Sequence, residues 1–411
     1  MLYWIFTPLD SWFQGFNLFR YITFRAAFAA ILAFLIVVVC GPGILAWLRQ
    51  RRLHGCEGHD SATLEELREE KHATPTMGGL AMLLAVAVAT MLLARLDNVY
   101  VVVTLFAFLA FGTLGAIDDW TKVAYPRRKG MSEKKKLLGQ TAIAAAALVV
   151  WYVHASGGDV WRAPRLEDSP YTEQAQVANL GATAPQLDQD LDPIGPTEVA
   201  HPASDHRTDV QIPLFKHFCL DLGLLFLVFG AFVIVGTSNA VNLTDGLDGL
   251  ATGCVAAGAL TFAVVSYITG RADVADYLYV FHIPGAGELT VFCAAIGGAC
   301  LGFLWFNSFP ATVFMGDTGS LALGGGLGLV AVATRHEFTL FIAGGVFVME
   351  AVSVILQRRY FRVTGGGRLF RCAPLHHHFQ FKGLHEVKVT IRFWVVSILL
   401  ALFALALFKL R

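Results

Sequence analysis

Val99–Lys122 reads VYVVVTLFAFLAFGTLGAIDDWTK: a long run without a charge, then two adjacent aspartates. A membrane-crossing helix needs about 20 apolar residues to span roughly 30 Å of hydrocarbon, and this run supplies them. One charged side chain at the bilayer centre costs roughly 2.5–3.5 kcal/mol. Asp118 and Asp119 therefore belong either at the water boundary or against something that binds them.

Outward from this stretch the same pattern recurs from end to end. Of 411 residues, 55% are hydrophobic and 15% charged, and the mean hydropathy is +0.58. Soluble domains carry about 25% charged residues, so the class is a polytopic helical membrane protein. The formal net charge is zero, and no nucleic-acid partner is expected. No cleavable signal is read, because no basic region precedes the first apolar stretch and Arg20 comes late.

Ten spans are predicted: Phe24–Trp47, Met77–Leu96, Val99–Ile117, Leu137–His154, Phe218–Thr237, Leu250–Thr269, Leu289–Phe306, Ser320–Thr334, Phe338–Gln357 and Val389–Phe408. The eighth is short and glycine-rich (LALGGGLGL), a composition that packs closely against neighbours. Lys and Arg set the orientation. Arg49, Arg51 and Arg52 follow the first span, Lys122 to Lys136 hold a basic run after the third, and Arg358 to Lys382 hold another after the ninth. The short opposite loops carry little beyond Arg271 and Arg335. Loops after odd-numbered spans are thus expected in the cytoplasm, with both termini outside.

Residues 155–217 lack apolar periodicity and are rich in Pro, Asp, Gln, Thr and Ala, which reads as a flexible or loosely folded extracytoplasmic insert. Its D-x-D-x-D spacing (Asp188, Asp190, Asp192) lacks the glycine and downstream glutamate of an EF-hand loop. The seven cysteines are scattered without a C-x-x-C pair and read as apolar packing residues.

On this topology every unusual polar cluster falls on one side: EEKHATPTMGG (Glu69–Gly79), Asp118–Asp119, NAVNLTDGLDGLATG (Asn239–Gly253), WFNSFPATVFMGDTGS (Trp305–Ser320) and APLHHHFQFKG (Ala373–Gly383). T-D-G and G-D-T-G are also good turn chemistry. Yet Asn239–Gly249 and Asn307–Gly319 contain no Lys or Arg to neutralise their carboxylates, which points to a bound cation. Hard oxygen donors suit Mg²⁺. Adjacent His376, His377 and His378 cannot all face one metal, and the basic residues around them suggest phosphate binding. A metal, phosphates and a membrane-face site together indicate phosphoryl transfer. With no Walker A sequence, the substrate is expected to bring its own activated phosphate, and a lipid is the expected acceptor.

The ordered motifs KHATPTMGG, DDWTK, KKLLGQ, NLTDGLDGL, WFNSFPATVFMGDTGSLALG and APLHHHF resemble the polyprenyl-phosphate N-acetylhexosamine-1-phosphate transferases, in family order from Lys71 to Phe379. The resemblance implies an all-α integral membrane protein of about ten transmembrane helices, one polytopic domain over residues 1–411 with its active site on the cytoplasmic face. It implies residence in the bacterial inner membrane and a role in peptidoglycan synthesis, cell shape and division. The implied reaction moves phospho-MurNAc-pentapeptide from UDP-MurNAc-pentapeptide to undecaprenyl phosphate, releasing UMP, with Mg²⁺ as cofactor and a homodimer as a further expectation.

By the same resemblance Asp118 and Asp119 match the paired catalytic aspartates, and Asp317 the aspartate expected to hold Mg²⁺. Asp118 is expected to bind or deprotonate the lipid phosphate. Lys71 and Lys136 match phosphate-neutralising lysines, with Thr76 a further substrate-binding position. Asn242, Asp245, Asp248 and Asn307 match residues lining the nucleotide site. Gln357 and the loop carrying Ala373, His376, His377 and His378 match the region that closes over uridine and sugar. The insert is longer than the family's usual loop. Within the family the alternative donor is UDP-GlcNAc, and PLHHHF (Pro374–Phe379) argues against it. Against a transporter stand the gathering of carboxylates at one face and the absence of an internal repeat.

Overall fold

The computed structural model describes residues 1–9, 12, 14–50, 74–125, 130–156, 208–212, 219–278 and 280–409. Lys71 and most of the insert lie outside them. Fourteen α-helices are formed among the described residues: α1 Leu2–Phe6, α2 Ile22–Gln50, α3 Gly79–Leu93, α4 Val99–Ala124, α5 Glu133–Ser156, α6 Leu225–Thr244, α7 Leu250–Thr269, α8 Ala272–Leu278, α9 Leu289–Asn307, α10 Gly316–Ala333, α11 Glu337–Ala343, α12 Gly345–Val363, α13 Leu375–Gln380 and α14 Glu386–Ala406. One short antiparallel pair, β1 Asp209–Gln211 with β2 Cys219–Asp221, adds a hairpin at the edge of the expected insert. β1 is buried and packs beside α11, so this edge of the insert is ordered structure.

Each of the ten predicted spans overlaps a helix, with qualifications at three of them. The fifth, expected over Phe218–Thr237, is helical only from Leu225 and runs on to Thr244, because Cys219–Asp221 pair as β2. Among the described residues, eight helices are long and apolar enough to cross a membrane. The second span, α3, has 15 residues, roughly 22 Å at 1.5 Å per residue and short of a full hydrocarbon layer. The ninth is broken: α11 and α12 meet with an 82° bend, at Gly344. Apolar side chains such as Phe106, Phe232, Ile355 and Leu399 are exposed around the bundle. In water such a surface would aggregate, whereas in lipid it is the expected exterior.

The glycine-rich segment proves to be the centre of the bundle. In α10, 94% of the apolar window is buried, against 28% for α2. Helix α10 packs on α4 and α6, while α9 packs on α2 and α7. Small residues make these approaches: a Cβ on Gly298 of α9 would lie 2.0 Å from the Ala30 carbonyl oxygen of α2. Where lipid offers no hydrophobic gain between helices, close packing of this kind supplies the association.

Local signals set the ends. Asn98 accepts from the N–H groups of Tyr100 and Val101 and so caps α4. Its Nδ2 donates to the Gly285 carbonyl, placing the start of α4 beside the start of α9. At this end Arg25 of α2 makes a bidentate pair with Glu288, 2.6 Å on each arm, and donates to the Leu93 carbonyl that ends α3. Both side chains are buried, and Glu288 also accepts from the Arg95 N–H. The aspartates at the far end of α4 lie across the bundle from this clamp.

Removing one partner of a buried pair leaves an uncompensated charge. Arg25→Ala is therefore expected to destabilise the protein by about 3–5 kcal/mol, read as a lowered thermal midpoint in detergent. Replacing Arg25 and Glu288 together with Met and Leu should recover much of that loss.

Candidate active site

Four helix ends meet at the pole opposite Arg25. Asp118 and Asp119 come from the last turns of α4, Lys136 from the first turn of α5, Asn242 from the last turn of α6 and Asp317 from the first turn of α10. Gly115 makes the meeting possible: a Cβ there would lie 2.2 Å from the Asp317 carbonyl oxygen. One helical turn on, Asp118 and Asp119 share that face of α4 and look onto the start of α10.

The two neighbouring aspartates have different work. Asp119 accepts from the backbone N–H of Asp317 (3.2 Å) and of Thr318 (2.9 Å), and from the Thr318 hydroxyl (2.7 Å). Its carboxylate is committed to the N-terminus of α10, where a negative charge also complements the helix dipole. Asp118 turns the other way. Its Oδ1 accepts from the Met131 N–H at 2.6 Å, and its Oδ2 lies 3.2 Å from Lys122 Nζ and 3.5 Å from Lys136 Nζ.

Asp317 is gripped from three sides. Lys122 (3.0 Å) and Lys136 (2.6 Å) donate to Oδ2, and Asn242 donates to Oδ1 at 2.6 Å. The basic partners missing from its own loop are thus supplied by helices distant in sequence, and the inference of a cation from unneutralised carboxylates loses its premise for Asp317. Lys122 was not singled out from sequence as a site residue. It sits at i+4 from Asp118 and i+3 from Asp119, a spacing that places all three together on a helix.

Lys122 Nζ stands within 3.8 Å of carboxylate oxygens from Asp118, Asp119 and Asp317, so these oxygens converge on a position that accommodates a cation. Among the described residues, no three His, Cys, Asp or Glu side chains are disposed to ligate one metal by themselves. Mg²⁺ does not require that: it is held by one or two carboxylates, with water and substrate phosphate completing the shell. Asp317 and Asp118 fit such a role. Thr76 lies beside this centre, its Oγ1 2.9 Å from where a Cβ on Gly316 would be.

The remaining predicted residues do not enter this cluster, and most hold loops. Asn307 is buried, accepting from the Gly249 N–H and the Thr252 hydroxyl and donating to the Val313 carbonyl. Asp248 is buried and accepts from the Ala311 N–H, while its own N–H donates to Glu386. Together they tie the loop after α6 to the loop after α9. Asp245 ends α6, half-buried. Gln357 accepts from the N–H groups of Leu369 and Phe370 and folds the chain after α12 back on itself.

The three histidines take three different partners. His376, fully buried, has its Nδ1 3.2 Å from Glu350 Oε2. His377 Nδ1 pairs with Gln380 Oε1 at 2.8 Å. His378 Nδ1 accepts from the Arg371 N–H, and burial with Lys382 and Arg371 nearby holds this ring below the usual histidine range. His378 is therefore a neutral imidazole near pH 7. Ala373 precedes Pro374 at the start of the α13 turn.

Comparison with known proteins places the chain among named relatives. The family model described as Glycosyl transferase family 4 matches residues 203–335. The chain is 43% identical over 411 residues to the phospho-N-acetylmuramoyl-pentapeptide-transferase of Maridesulfovibrio salexigens. It is 44% identical to the proteins of that name from Solidesulfovibrio magneticus and Maricaulis maris. All of each chain is covered in all three comparisons.

Because Asp119 serves the start of α10, Asp119→Ala is expected to lower stability by about 1–3 kcal/mol, a cap reinforced by charge-assisted hydrogen bonds. Asp118→Asn keeps the cap and should leave the thermal midpoint nearly unchanged. Melting curves of the two variants, measured side by side, test this division of roles.

Proposed function

The chain belongs to the phospho-N-acetylmuramoyl-pentapeptide-transferase family, and from that premise we propose that it transfers phospho-MurNAc-pentapeptide from UDP-MurNAc-pentapeptide to undecaprenyl phosphate. The products are UMP and the lipid-linked sugar that opens the membrane stage of peptidoglycan synthesis. The observation that carries the reading is the convergence of Asp118, Asp317, Lys122, Lys136 and Asn242 at one pole of an apolar bundle.

We read the bundle as ten spans in the bacterial inner membrane, with this pole in the cytoplasm and both termini outside. The Lys- and Arg-rich segments at the same pole support that orientation. Assembly as a homodimer is part of the same proposal.

Two anions must meet for the reaction to occur. The ammonium groups of Lys122 and Lys136 offset the charge of the donor's diphosphate, with Lys71 expected beside them. Asp118, half-satisfied by Met131 and by the lysines, is the carboxylate left to face the incoming lipid phosphate. That phosphate is already largely ionised near neutral pH, so orientation outweighs proton removal in its role. Asn242 holds Asp317 in place from α6. Mg²⁺, held by Asp317 with Asp118, would screen the diphosphate and stabilise the departing UMP.

Purified protein with UDP-MurNAc-pentapeptide, undecaprenyl phosphate and Mg²⁺ should release UMP and form lipid-linked sugar. UDP-GlcNAc should give little product. Equal or faster turnover of UDP-GlcNAc overturns the donor assignment in favour of the family's other branch.

Asp317→Asn keeps the size and one oxygen but removes the charge. The rate is expected to fall about a thousandfold or more, since a stabilised transition-state charge is worth several kcal/mol. Turnover and UDP-sugar binding measured across Mg²⁺ concentrations check the metal role. Near-normal turnover with an unchanged metal dependence would remove Asp317 from it.

A further inference from the structure

Lys134, Lys135 and Lys136 follow one another in the first turn of α5, and of these Lys136 reaches Asp317. Lys134 and Lys135 are exposed, whereas the Lys136 side chain is 16% exposed. Successive residues lie about 100° apart around a helix. Turning α5 by one position would therefore bring Lys135 or the apolar Leu137 to the carboxylate instead. Packing alone holds this helix loosely, because 28% of its apolar window is buried, against 94% in α10. Its main contacts are with α4 and α6.

One turn deeper in the bundle lies a second polar layer that the reaction does not use. Gln140 closes the KKLLGQ motif and is 1% exposed. Its Oε1 accepts from Asn239 Nδ2 at 2.8 Å, and its Nε2 stands 3.4 Å from both Asn239 Oδ1 and Ser238 Oγ. Ser238 in turn donates to the Leu321 carbonyl of α10 at 3.0 Å. Every member lies about one helical turn from a counterpart in the acidic centre: Gln140 from Lys136, Asn239 and Ser238 from Asn242, Leu321 from Asp317. Helices α5, α6 and α10 thus meet twice, around Asp317 and again below it.

From this second layer we propose that Gln140 is a positioning residue for Lys136. Its amide pair with Asn239, carried on through Ser238 to α10, fixes the register of α5 so that the third lysine of the run reaches Asp317 and Asp118. Between membrane helices, side-chain amides hydrogen-bond across the interface, and one polar pair specifies register where apolar packing tolerates rotation. The inference rests on the transferase reading above, in which Lys136 offsets the diphosphate charge.

Replacing Gln140 and Asn239 together by Leu tests it. Substituting both partners of a buried hydrogen bond by apolar groups of similar size is nearly neutral for stability, so the thermal midpoint in detergent should hold. kcat/KM for UDP-MurNAc-pentapeptide should nonetheless fall about tenfold to a hundredfold, the scale of a misplacement of about 1 Å. The cause is read from a cycle with Lys136→Met, using the dissociation constant of UDP-MurNAc-pentapeptide with Mg²⁺, which needs no turnover. With Lys136 present, the paired change should weaken binding about fivefold or more, within the coupling range of contacting residues. In the Lys136→Met background it should change binding less than about twofold, whereas independent structural damage would add equally in both backgrounds.

The proposal is overturned by wild-type kcat/KM in the paired variant, or by equal weakening of binding with and without Lys136. Should the paired variant fail to assemble, Gln140→Leu alone, which leaves Asn239 bonded to the Val235 carbonyl, enters the same cycle with the same expected and overturning results. Wild-type protein that fails to turn over UDP-MurNAc-pentapeptide speaks instead against the transferase reading, so the two failures are distinguishable.

Discussion

Helix α10 begins in the interior of the bundle, where the N–H groups of Asp317 and Thr318 have no solvent to turn to. Asp119 supplies both acceptors and takes the Thr318 hydroxyl as well. A buried helix start without such a partner leaves orphan donors, each worth about 1–3 kcal/mol of desolvation penalty. The position of Asp317 depends on this cap, because the first turn of α10 carries it. So does the contact of α10 with α4 and α6, on which the centre of the bundle is built.

Glycines make the cap reachable. Gly115 lets the α10 start lie against α4, and a Cβ on Gly79 of α3 would lie 2.3 Å from Gly319. Three helices therefore approach at backbone distance around one short stretch of chain, and none has a side chain with which to adjust. A site built in this way is held by main-chain geometry, which suits chemistry that relies on positioning and charge more than on covalent machinery. The Arg25–Glu288 clamp does the corresponding work at the other pole, joining the starts of α2 and α9 to the end of α3.

Much of this was legible in the sequence and some was not, for identifiable reasons. Long apolar runs announce helices because only helices satisfy their backbone in lipid, and each of the ten predicted segments overlaps a helix, although the fifth begins on β2. The break at Gly344 lies inside an apolar run, so hydropathy does not register it. Asp118, Asp119 and Asp317 were found because carboxylates are conspicuous against apolar sequence. Their division of labour was not, since Asp119 meets Thr318 across 199 residues of chain. Asn307 and Asp248 were expected to face a ligand, yet their hydrogen bonds run to neighbouring backbone and side chains. Polar residues in a loop look alike from sequence whether they bind a substrate or hold the loop that does.

The charge at the site sharpens what the substrate must bring. Three carboxylates face two ammoniums, with Lys122 and Lys136 both on Asp317 and both near Asp118. An entering diphosphate competes for those same ammoniums. Whatever share it takes is lost to Asp118 and Asp317, which then lie beside further negative charge in a setting where water screens poorly. Charge balance then calls for a second positive partner arriving with the substrate, and oxygen-rich surroundings select a hard divalent cation. This is the physical content of the Mg²⁺ proposal. It no longer depends on a shortage of lysines in the loops; it follows from two lysines being asked to serve both the aspartates and the phosphates.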